Sequence, residues 1–186
     1  MPPSRKQIEP LRRDALVRAA IGEIADRGSA DTTVARIAAR AGVSGALAHH
    51  YFGSKERILL AAMRHILSNY RAQARAALSA AVTPRDRLRA VVRVSFNADA
   101  FDADVVAAWL DFYVQARTHA PTRRLLRIYQ RRLRSNLIHA LRPLTDDPAG
   151  VADGTAALID GVYLRAALGA PANPERTVLE WLEARL

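Results

Sequence analysis

The segment SGALAHHYFGSKERIL, residues 44–59, holds side chains that can donate hydrogen bonds to phosphates or meet the edges of nucleobases. These side chains are Ser44, His49, His50, Tyr51 and Lys55. Contacts of this kind are typical of helices that bind DNA. A metal site is the alternative for two adjacent histidines, but neighbours on a helix diverge by about 100°. Since the sequence also has no E-x-x-H motif, the segment favours nucleic-acid contact over metal binding.

A second set of side chains could bind a cation. Trp109, Phe112 and Tyr113 stand at positions i, i+3 and i+4, which places them on one helix face. Ring faces attract quaternary ammonium ions by about 0.5–2 kcal/mol per contact. Tyr163 could add another ring, and Asp160 a counter-charge. The alternative is that the aromatic stripe is core packing and that Asp160 pairs with an arginine, and taken alone the stripe favours packing.

The composition excludes several classes of protein. The chain of 186 residues has no cysteine, so disulfides, thiol catalysis and cysteine-ligated metals are excluded. Its net charge of +10 favours an anionic partner, above all nucleic acid. A helical enzyme and a protein that coats DNA without sequence preference are the alternatives from other classes. With no apolar run near the roughly 20 residues of a membrane helix and no signal peptide, we expect a cytoplasmic protein without cofactor or metal.

Helices must position these side chains, because apolar residues recur at spacings of three and four along the chain. We expect an all-α protein of about nine helices. The first runs from about Arg12 to Arg27 and ends at Gly28, and the second runs from Thr33 to Ala41. The third begins at Ser44 and ends near Phe52, and Ser54 caps a long fourth helix. A capping residue followed by proline marks three later starts, at Thr83-Pro84, Asp147-Pro148 and Asn173-Pro174.

The second and third helices, with Gly42 in the turn between them, form a helix-turn-helix whose second helix can enter the major groove of DNA. At helical spacing, Ala48 and Phe52 face inward, whereas Ala46 and His50 point away from the core. Such helix pairs also occur in helical proteins that never contact DNA. The arrangement alone therefore leaves both functions open.

Residues 32–59, TTVARIAARAGVSGALAHHYFGSKERIL, resemble the DNA-binding signature of the TetR family of transcriptional regulators. The likeness lies in the A-G-V-S turn, the aromatic residue followed by phenylalanine, and the lysine before a hydrophobic fourth helix. The resemblance implies a homodimeric repressor on a palindromic operator, with a DNA-binding domain at residues 1–53 and a ligand-binding and dimerisation domain at residues 54–186. It assigns the DNA contacts to Thr33, Ser44, Gly45, Ala46, Leu47, His49, His50, Tyr51 and Lys55.

Three later segments resemble the C-terminal domain of the choline-responsive TetR repressors of glycine-betaine synthesis genes. They are AAWLDFY (107–113), RRLRSNLIHAL (131–141) and AALIDGVYLRAAL (156–168). This resemblance implies choline or betaine aldehyde as effector. It favours a ligand role for Trp109, Phe112, Tyr113, Asp160 and Tyr163, with Phe96 and Phe101 as weaker candidates. A TetR-like repressor with a different small hydrophobic or cationic effector is the alternative.

The last two helices are expected to pack against their copies in the dimer. Their apolar candidates are Ala157, Leu158, Val162, Leu168, Val178, Leu179 and Leu182. Effector binding is then expected to tilt the long fourth helix and to misplace the two DNA-binding domains. The densest basic run, six arginines from Arg123 to Arg134, is interpreted as a solvated face or as dimer salt bridges, with an anionic partner as the alternative.

Overall fold

The computed structural model describes residues 5–169 and 173–186, apart from the side chains of residues 5–7, and these ranges contain nine α-helices. The all-α prediction is confirmed. The helices are α1 (Arg5–Asp31), α2 (Val34–Arg40), α3 (Gly45–Phe52), α4 (Lys55–Ala80), α5 (Pro84–Ser95), α6 (Ala103–Gln115), α7 (Ala120–Leu141), α8 (Pro148–Ala167) and α9 (Pro174–Glu183). Within the described ranges, none of these helices is both long enough and apolar enough to cross a membrane.

The helix starts follow the capping residues that the sequence predicts. Thr83 and Asp86 form a reciprocal capping box at the start of α5, in which each side chain accepts the backbone N–H of the other residue. Asp147 accepts from the backbone of Gly150 at α8, and Asn173 accepts from Arg176 at α9. In each of the three helices a proline follows the cap, where its missing N–H costs nothing.

The first helix is longer than predicted. It begins at Arg5 rather than at Arg12, and Pro10 lies within it. Proline disfavours a helix interior, but at the sixth residue of α1 Pro10 removes a single backbone hydrogen bond. At the other end the prediction of a stop at Gly28 is confirmed, since Gly28 has non-helical angles (φ 73°, ψ 162°) and a short turn follows it.

Two compact units divide the chain, and neither is one continuous segment. The first unit comprises residues up to Ile66 together with Ala103–Thr122, and it contains α1, α2, α3, the beginning of α4 and α6. Within it α2 and α6 both pack on α1, and α3 packs on α2. The predicted boundary after residue 53 does not coincide with this division, because α6 joins the first unit.

The second unit comprises Leu67–Asp102 and Arg123–Leu186. Its core joins α5, α7, α8 and α9 through aliphatic side chains such as Val92, Leu137 and Ile159. Three residues predicted for a dimer interface, Val162, Val178 and Leu182, are 7%, 0% and 2% exposed and belong to this core instead. The helical period correctly marks them as inward-facing, but the element that covers them is in the same chain.

The basic run on α7 is divided between an ion pair and solvent. Arg134 binds Asp153 of α8 with both Nε and Nη2, and this carboxylate raises the pKa of the guanidinium. Arg124, Arg127, Arg131 and Arg132 are exposed. Exposure of these four side chains agrees with the interpretation as a solvated face.

Candidate DNA-binding surface and effector-binding residues

Helix α3 is anchored by two apolar side chains and presents its polar side chains to solvent. Ala48 is fully buried and Phe52 is 8% exposed, which confirms the inward face predicted from spacing. Ala46, His49 and His50 are exposed, so they are accessible to a partner. This division follows from the helical period, because residues four apart share a face.

The beginning of α3 is a capped helix terminus with small side chains. Ser44 caps it, with its Oγ accepting the backbone N–H of Leu47 at 3.2 Å. Gly45 and Ala46 follow with minimal side chains, so that the first-turn backbone amides can approach a phosphate closely. The rings of His50 and Tyr51, with centroids 5.5 Å apart, continue the polar surface along the helix.

The turn between α2 and α3 fixes the angle at which α3 is presented. Thr33 caps α2 by accepting from the backbone of Arg36. At the other end of α2, Gly42 takes the left-handed conformation (φ 67°), and the amides of Gly42 and Val43 bind the carbonyls of Ala39 and Ala38. This double hydrogen bond closes the helix and turns the chain into α3. Helices α2 and α3 form the helix-turn-helix, and we call these two helices together the reading head.

Arg13 of α1 supports the end of α3, a contact that sequence patterning did not find. Its guanidinium lies 4.6 Å from the centroid of the Phe52 ring and 5.8 Å from that of Tyr51. It also donates through Nη1 to the Tyr51 carbonyl oxygen at 2.9 Å. These contacts satisfy a carbonyl at the end of α3 and place a positive charge where the helix dipole is negative.

We expect Arg13→Ala to weaken operator binding several-fold and to lower the free energy of unfolding by about 1 kcal/mol, because it removes the hydrogen bond and the ring contacts. Thermal melting and DNA titration measure the two effects. Arg18→Ala is the matched control, since Arg18 lies on the same helix in an exposed pair with Asp14. Equal effects of the two substitutions would refute a specific role for Arg13.

A small cavity of about 240 Å³ lies between the start of α1 and α3. Its lining residues are Ile8, Glu9, Arg12, Leu47, His50 and Tyr51. Arg12 is exposed and therefore adds a positive charge beside the predicted DNA contacts of α3. The sequence prediction did not include Arg12, because only the fold brings the start of α1 to α3.

Lys55, the last predicted DNA contact, already binds protein groups. Its Nζ donates to the carbonyl oxygens of Ser29 at 3.1 Å and Ala30 at 3.3 Å. The side chain is half-buried. The lysine thus binds the end of α1, where unpaired carbonyls attract cations.

The predicted aromatic face of α6 lies in the first unit. Trp109 is 8% exposed and Phe112 1%, and their rings meet edge to face with centroids 5.7 Å apart. Tyr113 is half-buried, and its ring centroid lies 5.8 Å from that of Trp109. The spacing prediction that the three rings share a neighbourhood is therefore confirmed, and Trp109 and Phe112 contribute to the core.

Asp160 and Tyr163 lie on α8 in the second unit, among other aromatic side chains. Tyr163 donates to the Ala100 carbonyl oxygen at 2.8 Å, and its ring centroid lies 5.0 Å from that of Phe101. Burial raises the pKa of Tyr163, and the charge of Asp102 raises it further, so the phenol stays neutral.

Two tyrosines absent from the sequence prediction form a second ring pair in the same unit. Tyr70 of α4 and Tyr129 of α7 meet edge to face at 5.5 Å, and the Tyr70 hydroxyl lies 3.3 Å from Ser95 Oγ. Burial raises the pKa of Tyr70, and the nearby Asp160 carboxylate raises it further. Asp160 thus lies near Tyr70 in the second unit. Because α4, α7 and α8 are far apart along the chain, no local pattern indicates these contacts.

The described residues include no group of three or more histidine, cysteine, aspartate or glutamate side chains that could hold a metal ion.

Family models match both parts of the chain. Residues 16–62 match the model described as bacterial regulatory proteins of the tetR family. Residues 84–186 match the model described as the C-terminal part of the BetI-type transcriptional repressor. The two matches correspond to the helix-turn-helix and to the helices from α5 onwards.

Curated relatives are similar over nearly the full chain. The HTH-type transcriptional regulator BetI of Brucella anthropi is 53% identical over 178 residues, which cover 95% of this chain and 92% of the relative. The protein of the same name from Rhizobium meliloti is 53% identical over 174 residues, which cover 92% and 86% of the two chains.

Solved structures share the fold. A transcriptional regulator from Pseudomonas aeruginosa PAO1 matches with a TM-score of 0.83 at 26% identity, over 95% of this chain and 88% of that one. A transcriptional regulator from Saccharomonospora viridis in complex with choline matches with a TM-score of 0.78 at 22% identity, over 92% and 93% of the two chains. At 22% identity the second likeness bears on the fold alone.

Proposed function

Because the chain belongs to the TetR family and carries a BetI-type C-terminal domain, we propose that it represses transcription as a homodimer on a palindromic operator and is released by a small quaternary ammonium compound. It is a BetI-like repressor of choline and glycine-betaine genes and not an enzyme. The proposal places it in the cytoplasm, where a repressor meets chromosomal DNA. The exposed, small-residue beginning of α3 in a helix-turn-helix is the observation that carries this function.

We assign the DNA contacts to both helices of the reading head. Ser44 and the amides of Gly45 and Ala46 bind a phosphate at the α3 terminus, and Thr33 does the same at α2. His49, His50 and Tyr51 contact phosphates and base edges, and Leu47 lies at the cavity beside them. In a dimer the two copies of α3 would enter successive major grooves, roughly 34–36 Å apart.

Exposed small and apolar residues on α8 and at its C-cap, Leu168, support the homodimer. Ala157, Gly161, Leu164 and Leu168 recur at spacings of four, three and four and are all exposed, Leu164 by 46% and Leu168 by 73%. This spacing is that of helix pairs in coiled coils and bundles. We propose that this stripe meets its copy in the partner subunit, in place of the buried Val162, Val178 and Leu182.

The effector proposal rests on the aromatic and acidic chemistry of the chain. A quaternary ammonium ion cannot donate hydrogen bonds, so ring faces and a carboxylate are the groups that recognise it. The second unit brings Asp160 into electrostatic range of Tyr70 and places Phe101 against Tyr163. The contribution of Trp109, Phe112 and Tyr113 stays a prediction.

Calorimetric titration with choline tests the effector. We expect saturable binding, and at least about tenfold weaker binding of 3,3-dimethylbutan-1-ol, the neutral isostere, because it lacks the charge that rings and Asp160 attract. Asp160→Asn should lower choline affinity by a similar factor. Trp109→Ala and Tyr163→Leu then show which unit supplies the ring contacts.

Two further outcomes separate the parts of the proposal. If choline binds but does not release a duplex selected by the protein from a random library, the compound is a ligand and not the inducer. No binding at millimolar choline would leave a BetI-type repressor that responds to another effector.

A further inference from the structure

Gly28, Ser29 and Ala30 form a turn at the end of α1, where the helix is broken just before the reading head. Gly28 interrupts α1 in the left-handed region of φ. Thr32, which is fully buried, donates through Oγ1 to the carbonyl oxygen of Gly28 at 2.8 Å and approaches that of Glu23 at 3.3 Å. The turn is thereby fixed to the body of α1 and leads directly into α2.

Two charged side chains from other helices bind this same turn. Asp111 of α6 accepts the hydroxyl of Ser29 at 2.6 Å and its backbone N–H at 3.3 Å, both on Oδ1. Gln115, one turn further along α6, donates to the other carboxylate oxygen. Lys55, the first residue of α4, donates to the carbonyls of Ser29 and Ala30. Charge-assisted hydrogen bonds between half-buried groups are about twice as strong as neutral ones.

We propose that Asp111 and Lys55 are positioning residues for DNA binding: together they fix the Gly28–Ala30 turn and so set the orientation of the reading head. The carboxylate satisfies the backbone N–H next to the break in α1, and the ammonium satisfies carbonyls at the helix end. Neither residue needs to touch DNA for this role.

Through the contact between Asp111 and Ser29, a movement of α6 can be transmitted to the reading head. Trp109, Phe112 and Tyr113 lie on the same helix within two residues of it. A displacement of α6 would pull on Ser29 and hence on the start of α2. This step alone rests on the proposed function, since it needs an effector that moves α6. If it holds, Ser29→Ala reduces the release of DNA by choline but leaves choline affinity unchanged.

Salt dependence separates a positioning lysine from one that binds a phosphate. The probe is a duplex selected from a random library by the wild-type protein. We expect Lys55→Gln to lower affinity for it by about tenfold at fixed salt, with an unchanged slope of log K against log salt. If Lys55 bound a phosphate instead, the substitution would reduce the slope by about one for each head, and that result would overturn the role proposed for this lysine.

Asp111 is tested by a series of variants with and without DNA. We expect Asp111→Ala to weaken binding of the selected duplex by about tenfold, and to accelerate amide exchange in peptides that span residues 27–36. Asp111→Asn keeps an acceptor for Ser29 and should stay within about threefold of wild type. Val114→Ala, an exposed position on the same helix, is the control.

The exchange measurement does not depend on the operator or on choline. Wild-type exchange in residues 27–36 of Asp111→Ala, with duplex affinity within about twofold of wild type, would overturn the proposal. Should Asp111→Ala fail to fold, Ser29→Ala takes its place, because it removes only the hydroxyl donor. We expect it to accelerate amide exchange in residues 27–36 and to weaken duplex binding, both by less than Asp111→Ala. A failure of choline to act on the wild-type protein would refute the effector and leave the exchange and salt results to decide this inference.

Discussion

Ala46→Glu is expected to lower operator affinity by about 100-fold or more without loss of the fold. Ala46 is exposed at the second residue of α3, on the surface that we assign to DNA. A carboxylate there repels phosphates and occupies the space that a small residue leaves for the DNA backbone. A penalty of about 1.4 kcal/mol on each of two heads gives a factor of about 100. The fold is retained because a negative charge in the first turn of a helix is favourable.

Two variants make this prediction specific. Ala46→Gln adds nearly the same volume without charge, so the difference between Glu and Gln isolates electrostatic repulsion. Ala120→Glu places the same charge at the exposed first residue of α7, in the same unit but outside the reading head. DNA titration and thermal melting are measured for all three. Operator affinity of Ala46→Glu equal to that of Ala120→Glu would show that the beginning of α3 does not face DNA.

The parts of the fold that the sequence predicted are those with a local cause. Ser44 and Thr83 cap helices because their hydroxyls reach an amide within three residues, and the sequence shows both partners at once. Gly42 closes α2 for an equally local reason, its positive φ. The inward position of Ala48 and Phe52 follows from the helical period alone.

The parts that the sequence could not predict depend on contacts between distant segments. Ser29 and Asp111 are 82 residues apart, and Arg13 and Tyr51 are 38 apart. Nothing in the spacing of either pair indicates the contact, since each requires the packing of helices that are separated in the chain. For the same reason the sequence prediction placed Trp109 and Tyr163 in one binding domain, whereas in the structure their helices belong to different compact units.

The helices α8 and α9 show a related limit of amphipathic patterning. Apolar periodicity identifies the side of a helix that avoids water, but not whether the same chain or a second copy covers it. Val178 and Leu182 are covered within the chain by the core of the second unit. Leu164 and Leu168 are not, and their exposure of 46% and 73% is what a partner surface would remove from water.

In the dimer that we propose, Leu164→Glu is therefore expected to separate the two subunits and to lower operator affinity by about 100-fold or more. A charge buried against its own copy across a two-fold axis is both desolvated and repelled by a like charge. Each monomer then binds one half-site without the gain that comes from linking two. Sedimentation and DNA titration measure the two effects, and in free monomer the exposed position tolerates the charge, so the helix content should not change.

Val82→Glu is the matched control, because Val82 is 91% exposed in the connection before α5 and lies outside the α8 stripe. It should remain dimeric and bind the operator normally. A dimeric Leu164→Glu protein with intact operator binding would exclude the α8 stripe as the interface. The variant could instead be monomeric and still bind the operator with undiminished affinity. That result would show that the stripe is the interface, but that the operator is not bound by two linked reading heads at once. Since oligomeric state and affinity are measured separately, the substitution tests the position of the interface and its contribution to DNA binding independently.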